Sequence, residues 1–167
     1  CLFQSTTRWG CTGNLENHAD DAFDDDNKEK VLDLWNIYRP YNTQVEIKKS
    51  PVSKDNCLMI EDFEPYDYVL LERIFPDTIR GAIKLSILAE QYEHGELYIE
   101  IHGNSGQIPL RLVLNNRGLF NLWHGRGVSH VYSYKANQWY DLKFEVDCIR
   151  HRFRFLINGE DAGSKQS

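Results

Sequence analysis

The sequence predicts an all-β, antiparallel β-sandwich with at most one short helix near its N-terminus, and three observations predict it. From Thr43 onward apolar residues recur with period two. Turn-forming residues interrupt that pattern at intervals of about 8 to 12 positions. No apolar run approaches the roughly 20 residues of a membrane span, so the apolar positions belong to a core. The chain's 167 residues suit one domain, and a 41% hydrophobic content argues against wholesale disorder. The formal net charge of −6 argues against nucleic acid and anionic lipid as partners.

The expected organisation is an irregular acidic leader over 1–42, a sandwich over 43–160, and a polar tail or truncation point over 161–167. Asp20 to Asp26 carries five acids in seven positions, a density that resists packing and suits a solvated segment. A calcium loop is the sharper alternative, with Asp24 and Asp26 as ligands, although the EF-hand spacing is absent. Val31, Leu34, Trp35 and Tyr38 recur at helical spacing behind a capping box of Asp26 and Glu29, and Pro40 would stop that helix. Trp9 and Trp35 are expected to pack rather than bind. Strands are expected near 44–48, 57–62, 67–75, 81–90, 96–102, 108–115, 118–123, 128–134, 139–147 and 152–158.

Alternation assigns faces. Leu97, Ile99 and Ile101 oppose Glu96, Tyr98, Glu100 and His102, while Leu110, Leu112 and Leu114 oppose Arg111 and Val113. Leu142, Phe144, Val146, Phe155 and Ile157 complete the expected core, all almost fully buried. The opposite face, rich in Glu, His, Arg, Tyr and Trp, is where function on a sheet is expected. Cys1, Cys11, Cys57 and Cys148 match no CxxC metal or redox spacing. Cys1 and Cys11 are close enough to close a small loop, which leaves one disulfide an open alternative. Cys1 is compatible with a processed or lipid-modified end or with a boundary inside a longer protein.

The run Trp139-Tyr140-Asp141-Leu142 to Asp147, followed by Phe153 to Ile157 and Asn158-Gly159, resembles a hairpin of concanavalin A-like lectin/glucanase and laminin-G-like jelly rolls. Asp67 to Pro76 and Leu88 to Leu97 look like parts of such modules attached to bacterial polysaccharide-degrading enzymes. The resemblance spans about residues 57–160 and implies a jelly roll that is secreted, periplasmic or cell-surface and joined to other domains of a larger enzyme. Family members continue past the Asn-Gly turn with a closing strand. Here the polar stretch Glu160 to Ser167 does not look like one, so either Val45 to Ile47 closes the sheet or the chain is a piece of something longer.

Three chemistries compete for the polar face. A glucanase needs two carboxylates roughly 5 to 5.5 Å apart for retention, whereas Glu96 and Glu100 on one strand face lie about 13 Å apart at roughly 3.3 Å per residue. A polysaccharide lyase needs a base and a group that neutralises the uronate carboxylate, and His102, Arg111, His130 and Tyr132, with Tyr98, are the candidate types. Its family motifs are present only as fragments. Sugar binding without catalysis needs an aromatic platform and a few polar groups, which Trp123, His124 and Arg126 supply beside two glycines in an expected loop. Arg126 would pair with a uronate or sulfate.

The reading is therefore a non-catalytic carbohydrate-binding or accessory module, with a β-eliminating lyase as the alternative and a ligand-free structural spacer as a third. The partner expected is a polysaccharide, acidic or sulfated in one variant. No cofactor is required. Structural calcium is the one metal considered, near Asp20 to Asp26 or at a strand end such as Asp147, and it would make thermal melting sensitive to chelator.

Overall fold

Tyr140, Leu142, Phe144 and Val146 alternate with polar residues, so a strand here can bury one face and solvate the other. The structure, a computed structural model, forms that strand and describes residues 2–4, 28–125 and 127–166, with side chains described for 30–125 and 127–163. In chain order the elements are β1 (Leu2–Gln4), α1 (Lys28–Leu32), β2 (Trp35–Tyr38), β3 (Thr43–Lys49), β4 (Asn56–Asp62), β5 (Leu70–Arg73), β6 (Arg80–Leu88), β7 (Leu97–Ile101), β8 (Leu110–Leu114), β9 (Leu119–His124), β10 (Gly127–Ser133), β11 (Trp139–Asp147), β12 (Arg152–Ile157) and β13 (Glu160–Gln166).

These strands make an antiparallel sandwich. A seven-stranded sheet runs in the order β13-β12-β11-β6-β1-β4-β3, a four-stranded sheet in the order β10-β9-β8-β7, and β2 pairs with β5 in a small third sheet. The main core fills the space between the first two sheets. Leu110, Leu112, Leu114, Phe120 and Leu122 from one side meet Ile87, Tyr140, Leu142, Phe144, Phe153, Phe155 and Ile157 from the other. A satellite core of Val31, Val45 and Leu58 lies under α1 and the β2/β5 pair, with Ile37 and Leu71 packed against it.

The expected core faces are the observed ones, but depth varies along them. Leu112, Leu142, Phe144, Phe155 and Ile157 are buried, whereas Leu97, Ile99, Ile101 and Val146 are only partly so. The physical reason for the first three is position: β7 is an edge strand with a neighbour on one side only. Of the packing aromatics, Tyr140 is buried and its hydroxyl accepts the Lys135 N–H at 2.9 Å. Trp139 turns the other way, packs on Cys57, Met59 and Leu88, and donates its Nε1–H to Ser50 Oγ at 3.3 Å.

Four expectations are corrected. The helix read through Tyr38 ends at Leu32, and Trp35 to Tyr38 form β2, because a short apolar run fits either period and pairing with β5 decides it. The strand read over 67–75 shrinks to Leu70–Arg73. The leader contributes β1, which sits between β4 and β6 in the largest sheet. The polar stretch after Gly159 is β13, paired along β12, so the closing strand is present and Val45 to Ile47 belong to the opposite edge. Asn158 and Gly159, at φ 52° and 83°, supply the left-handed geometry of the tight turn that returns the chain.

The outer face of β6, β11 and β12 is laced with ion pairs. Arg80 meets Asp147 at 3.1 Å, Arg154 meets Asp161 at 3.1 Å, and Lys143 pairs with Glu145. Burial works against ionised Asp147, yet the Arg150 N–H and the Arg80 guanidinium hold its carboxyl below the ordinary carboxylate range. A lowered folded pKa stabilises the fold above the unfolded value and loses that stabilisation as pH falls through the folded one. Asp147→Asn should therefore lower the melting temperature at pH 7, and the gap to the parent chain should close below about pH 4, in melts at both pH values.

Candidate functional site

Alternation along β7, β8, β9 and β10 sends every second side chain to the outer face of the four-stranded sheet. Register aligns Glu100, Arg111, Trp123 and Val128 in one cross-strand row. Tyr98, Val113, Asn121 and His130 form the next. Trp123 is 48% exposed and Tyr98 50% exposed, while Val113 between Tyr98 and Asn121 is buried.

Polar contacts hold this face in place. The Arg111 guanidinium lies over the Tyr98 ring, 5.5 Å from its centroid, and donates Nε–H to Glu100 Oε1 at 2.5 Å. The other Glu100 oxygen meets His102 Nε2 at 2.7 Å. Tyr98 donates its hydroxyl to Glu96 at 2.6 Å, and that bond, aided by burial, pushes the phenol above its usual value. The phenol is thereby held in its protonated form. The arrangement offers two half-exposed rings on one sheet face with an amide, an imidazole and a carboxylate at hand, which is chemistry for stacking on a sugar and bonding its hydroxyls.

The family model described as "Sialidase-like, CBM domain" matches residues 35–166. The chain belongs to the sialidase-like CBM domain family. It is accordingly a carbohydrate-binding β-sandwich module. Among solved structures, a chain titled "Sialidase" superposes with a TM-score of 0.76 at 22% sequence identity, over 98% of this chain and 14% of that one. That likeness establishes the fold, and the domain spans about a seventh of the length of the sialidase chain it matches. No curated protein matches the chain.

Within this CBM domain the sequence-predicted residues do not all converge. Trp123 and His124 are consecutive on β9 and so point to opposite faces. His124 turns inward, its ring 5.6 Å from that of Phe153, into a cleft of about 310 Å³ between the edges of β10 and β13 that Leu122, Ser129 and Gly163 also line. Arg126 lies outside the described residues. Of the lyase set, Arg111 and His102 share Glu100, and His130 stands on the same face across the sheet. Tyr132 was expected on that face and is not there. A bulge between His130 and Tyr132 shifts the register, so Tyr132 opposes Phe120 and its ring packs near Phe120 and Tyr140.

Asp24 and Asp26 also lie outside the described residues, as do Cys1 and Cys11. The Asp147 carboxylate is engaged by Arg80 and by the Arg150 N–H. Among the described residues no group of three or more His, Cys, Asp or Glu side chains is placed to hold a metal, Cys57 is a buried free thiol and Cys148 an exposed one, and no helix is long and apolar enough to cross a membrane.

Sequence reasoning missed a second polar and aromatic surface. Tyr38, Tyr41, Phe63, Tyr66 and Tyr68 are all exposed on the segments around the β2/β5 sheet. The signal was there in Tyr38-Arg39-Pro40-Tyr41 and Phe63-Glu64-Pro65-Tyr66-Asp67-Tyr68, where aromatics sit in proline-bearing turns instead of on a strand's core face.

Proposed function

We propose that this domain is a non-catalytic accessory module that holds a secreted or cell-surface glycoside-degrading enzyme on its glycan. The outer face of the four-stranded sheet is its binding surface. The observation that carries this is the pair of half-exposed rings, Trp123 and Tyr98, braced by the Arg111–Glu100 ion pair. Their strands are two apart at roughly 4.8 Å each and their rows are offset by two residues at roughly 3.3 Å each, so their backbones lie about 12 Å apart, a span for more than one sugar unit. Glu100 already neutralises Arg111, which favours recognition of hydroxyls over capture of a uronate or sulfate. The reading keeps the concanavalin A-like jelly roll as a proposal, which the two facing antiparallel sheets support.

The test is retention on printed or immobilised glycans together with an assay of released sugar. The isolated chain should bind at least one glycan and release no product. Unsaturated uronate growing in the ultraviolet would replace this reading with the lyase one, and absence of binding across neutral, uronic, sulfated and sialylated glycans would leave a spacer.

A further inference from the structure

Resting on the carbohydrate-binding reading but at a different place, we propose a second glycan site on the aromatic turns beside the β2/β5 sheet, specific for neutral pyranose chains. Tyr66 is 95% exposed and Tyr41 85% exposed, and Phe63, Tyr68 and Tyr38 are exposed with them. Tyr38 at the end of β2 and the other four rings on two adjoining turns put five exposed aromatics in one neighbourhood, a density that isolated surface aromatics do not explain.

The turns are tied to each other and held in shape. The Phe63 N–H donates to the Asn42 carbonyl at 3.1 Å, and the Tyr38 hydroxyl donates to Asp67 Oδ2 at 2.6 Å. Asp62 accepts the Glu64 and Val69 N–H groups at 2.9 and 3.1 Å, and the other Asp67 oxygen accepts the Tyr68 N–H at 2.8 Å. Rings carried on fixed turns lose little freedom on binding.

The charge around them selects the ligand. Asp62, Glu64 and Asp67 lie at the end of β4 and on the turn after it, and they outnumber Arg39, the one cation among residues 38–41 and 62–68. Their carboxylates repel sialic, uronic and sulfated sugars, while any lone pairs they turn to the ligand accept hydroxyl protons. A flat ring beside a carboxylate acceptor matches a neutral pyranose, whose one face is C–H and whose rim is hydroxyl.

The experiment uses the whole chain on an array printed with neutral, sialylated and sulfated oligosaccharides, in a Trp123→Ala background that silences the sheet face. W123A should keep binding to neutral glycans, and adding Tyr41→Ala with Tyr66→Ala should reduce that remaining signal at least tenfold without changing the melting temperature. Abolition of all binding by W123A alone, or a triple variant that binds as W123A does, overturns the second site and leaves the rings to a protein partner. A loss confined to sialylated or sulfated glycans overturns the neutral specificity. A parent chain that binds nothing defeats the carbohydrate reading and the second site together, whereas loss in the triple variant with W123A binding as the parent does defeats only the sheet face.

Discussion

Phe144→Ala should destabilise the domain by about 3–5 kcal/mol, the range for removing a large aromatic from a packed core. Phe144 is 1% exposed and stacks on Phe155 with centroids 4.7 Å apart. It sits in the central part of β11, between β6 and β12, where both neighbouring strands hold the backbone in place and the void left behind cannot close. For a domain of this size the loss corresponds to a melting temperature lower by roughly 6–20 °C. Thermal melts of the variant against the parent chain decide it, and a shift within about 2 °C would mean that the sheets slide together to fill the space. Phe144→Leu, which keeps most of the volume, should cost clearly less.

The largest functional effect is expected at Trp123. Truncation to alanine should weaken glycan retention at least about tenfold, equivalent to roughly 1.4 kcal/mol, because buried aromatic anchors dominate binding surfaces of this kind. Stability should hardly change, since the ring is half in water and belongs to none of the three core clusters. Trp123→Phe should recover part of the affinity by keeping a stacking face. Quantitative affinity electrophoresis or calorimetry on the glycan identified by the array separates these outcomes. An alanine variant that binds as well as the parent would show that the glycan lies elsewhere.

The strands that were legible are those whose side chains carry the period themselves. Along β11 and β12, Leu142, Phe144, Phe155 and Ile157 face one way and Asp141, Lys143 and Arg154 the other, and the observed ends match the expected ones within a residue. Elements stabilised by pairing alone were not. β13 is built from Glu160, Asp161, Ala162 and Gly163 onward, residues with little intrinsic preference for a strand, and it forms because β12 offers a ladder. Likewise β2 carries an apolar pattern that reads as helix until β5 lies beside it.

The site divides in the same way. Trp123, Arg111 and Tyr98 follow from strict alternation, and their common face was predictable. Tyr132 was misplaced because one bulged residue reverses every side chain after it, and nothing in Val131-Tyr132-Ser133 announces a bulge. The neighbourhood of Arg111 and Glu100 depends on register between β7 and β8, which local sequence does not encode.

The position of β1 bears on how the domain comes together during synthesis. Leu2 pairs with Met59 on one side and with Leu88 on the other, so this strand has no complete seat until β6 exists. At about 5–20 residues per second a ribosome needs several seconds to supply that partner. Through that interval β1 waits as an open edge, while β11, β12 and β13, linked by short turns, close quickly once made. The largest sheet is thus completed by its most sequence-distant pairings, a topology whose folding falls in the slow, millisecond-to-second class.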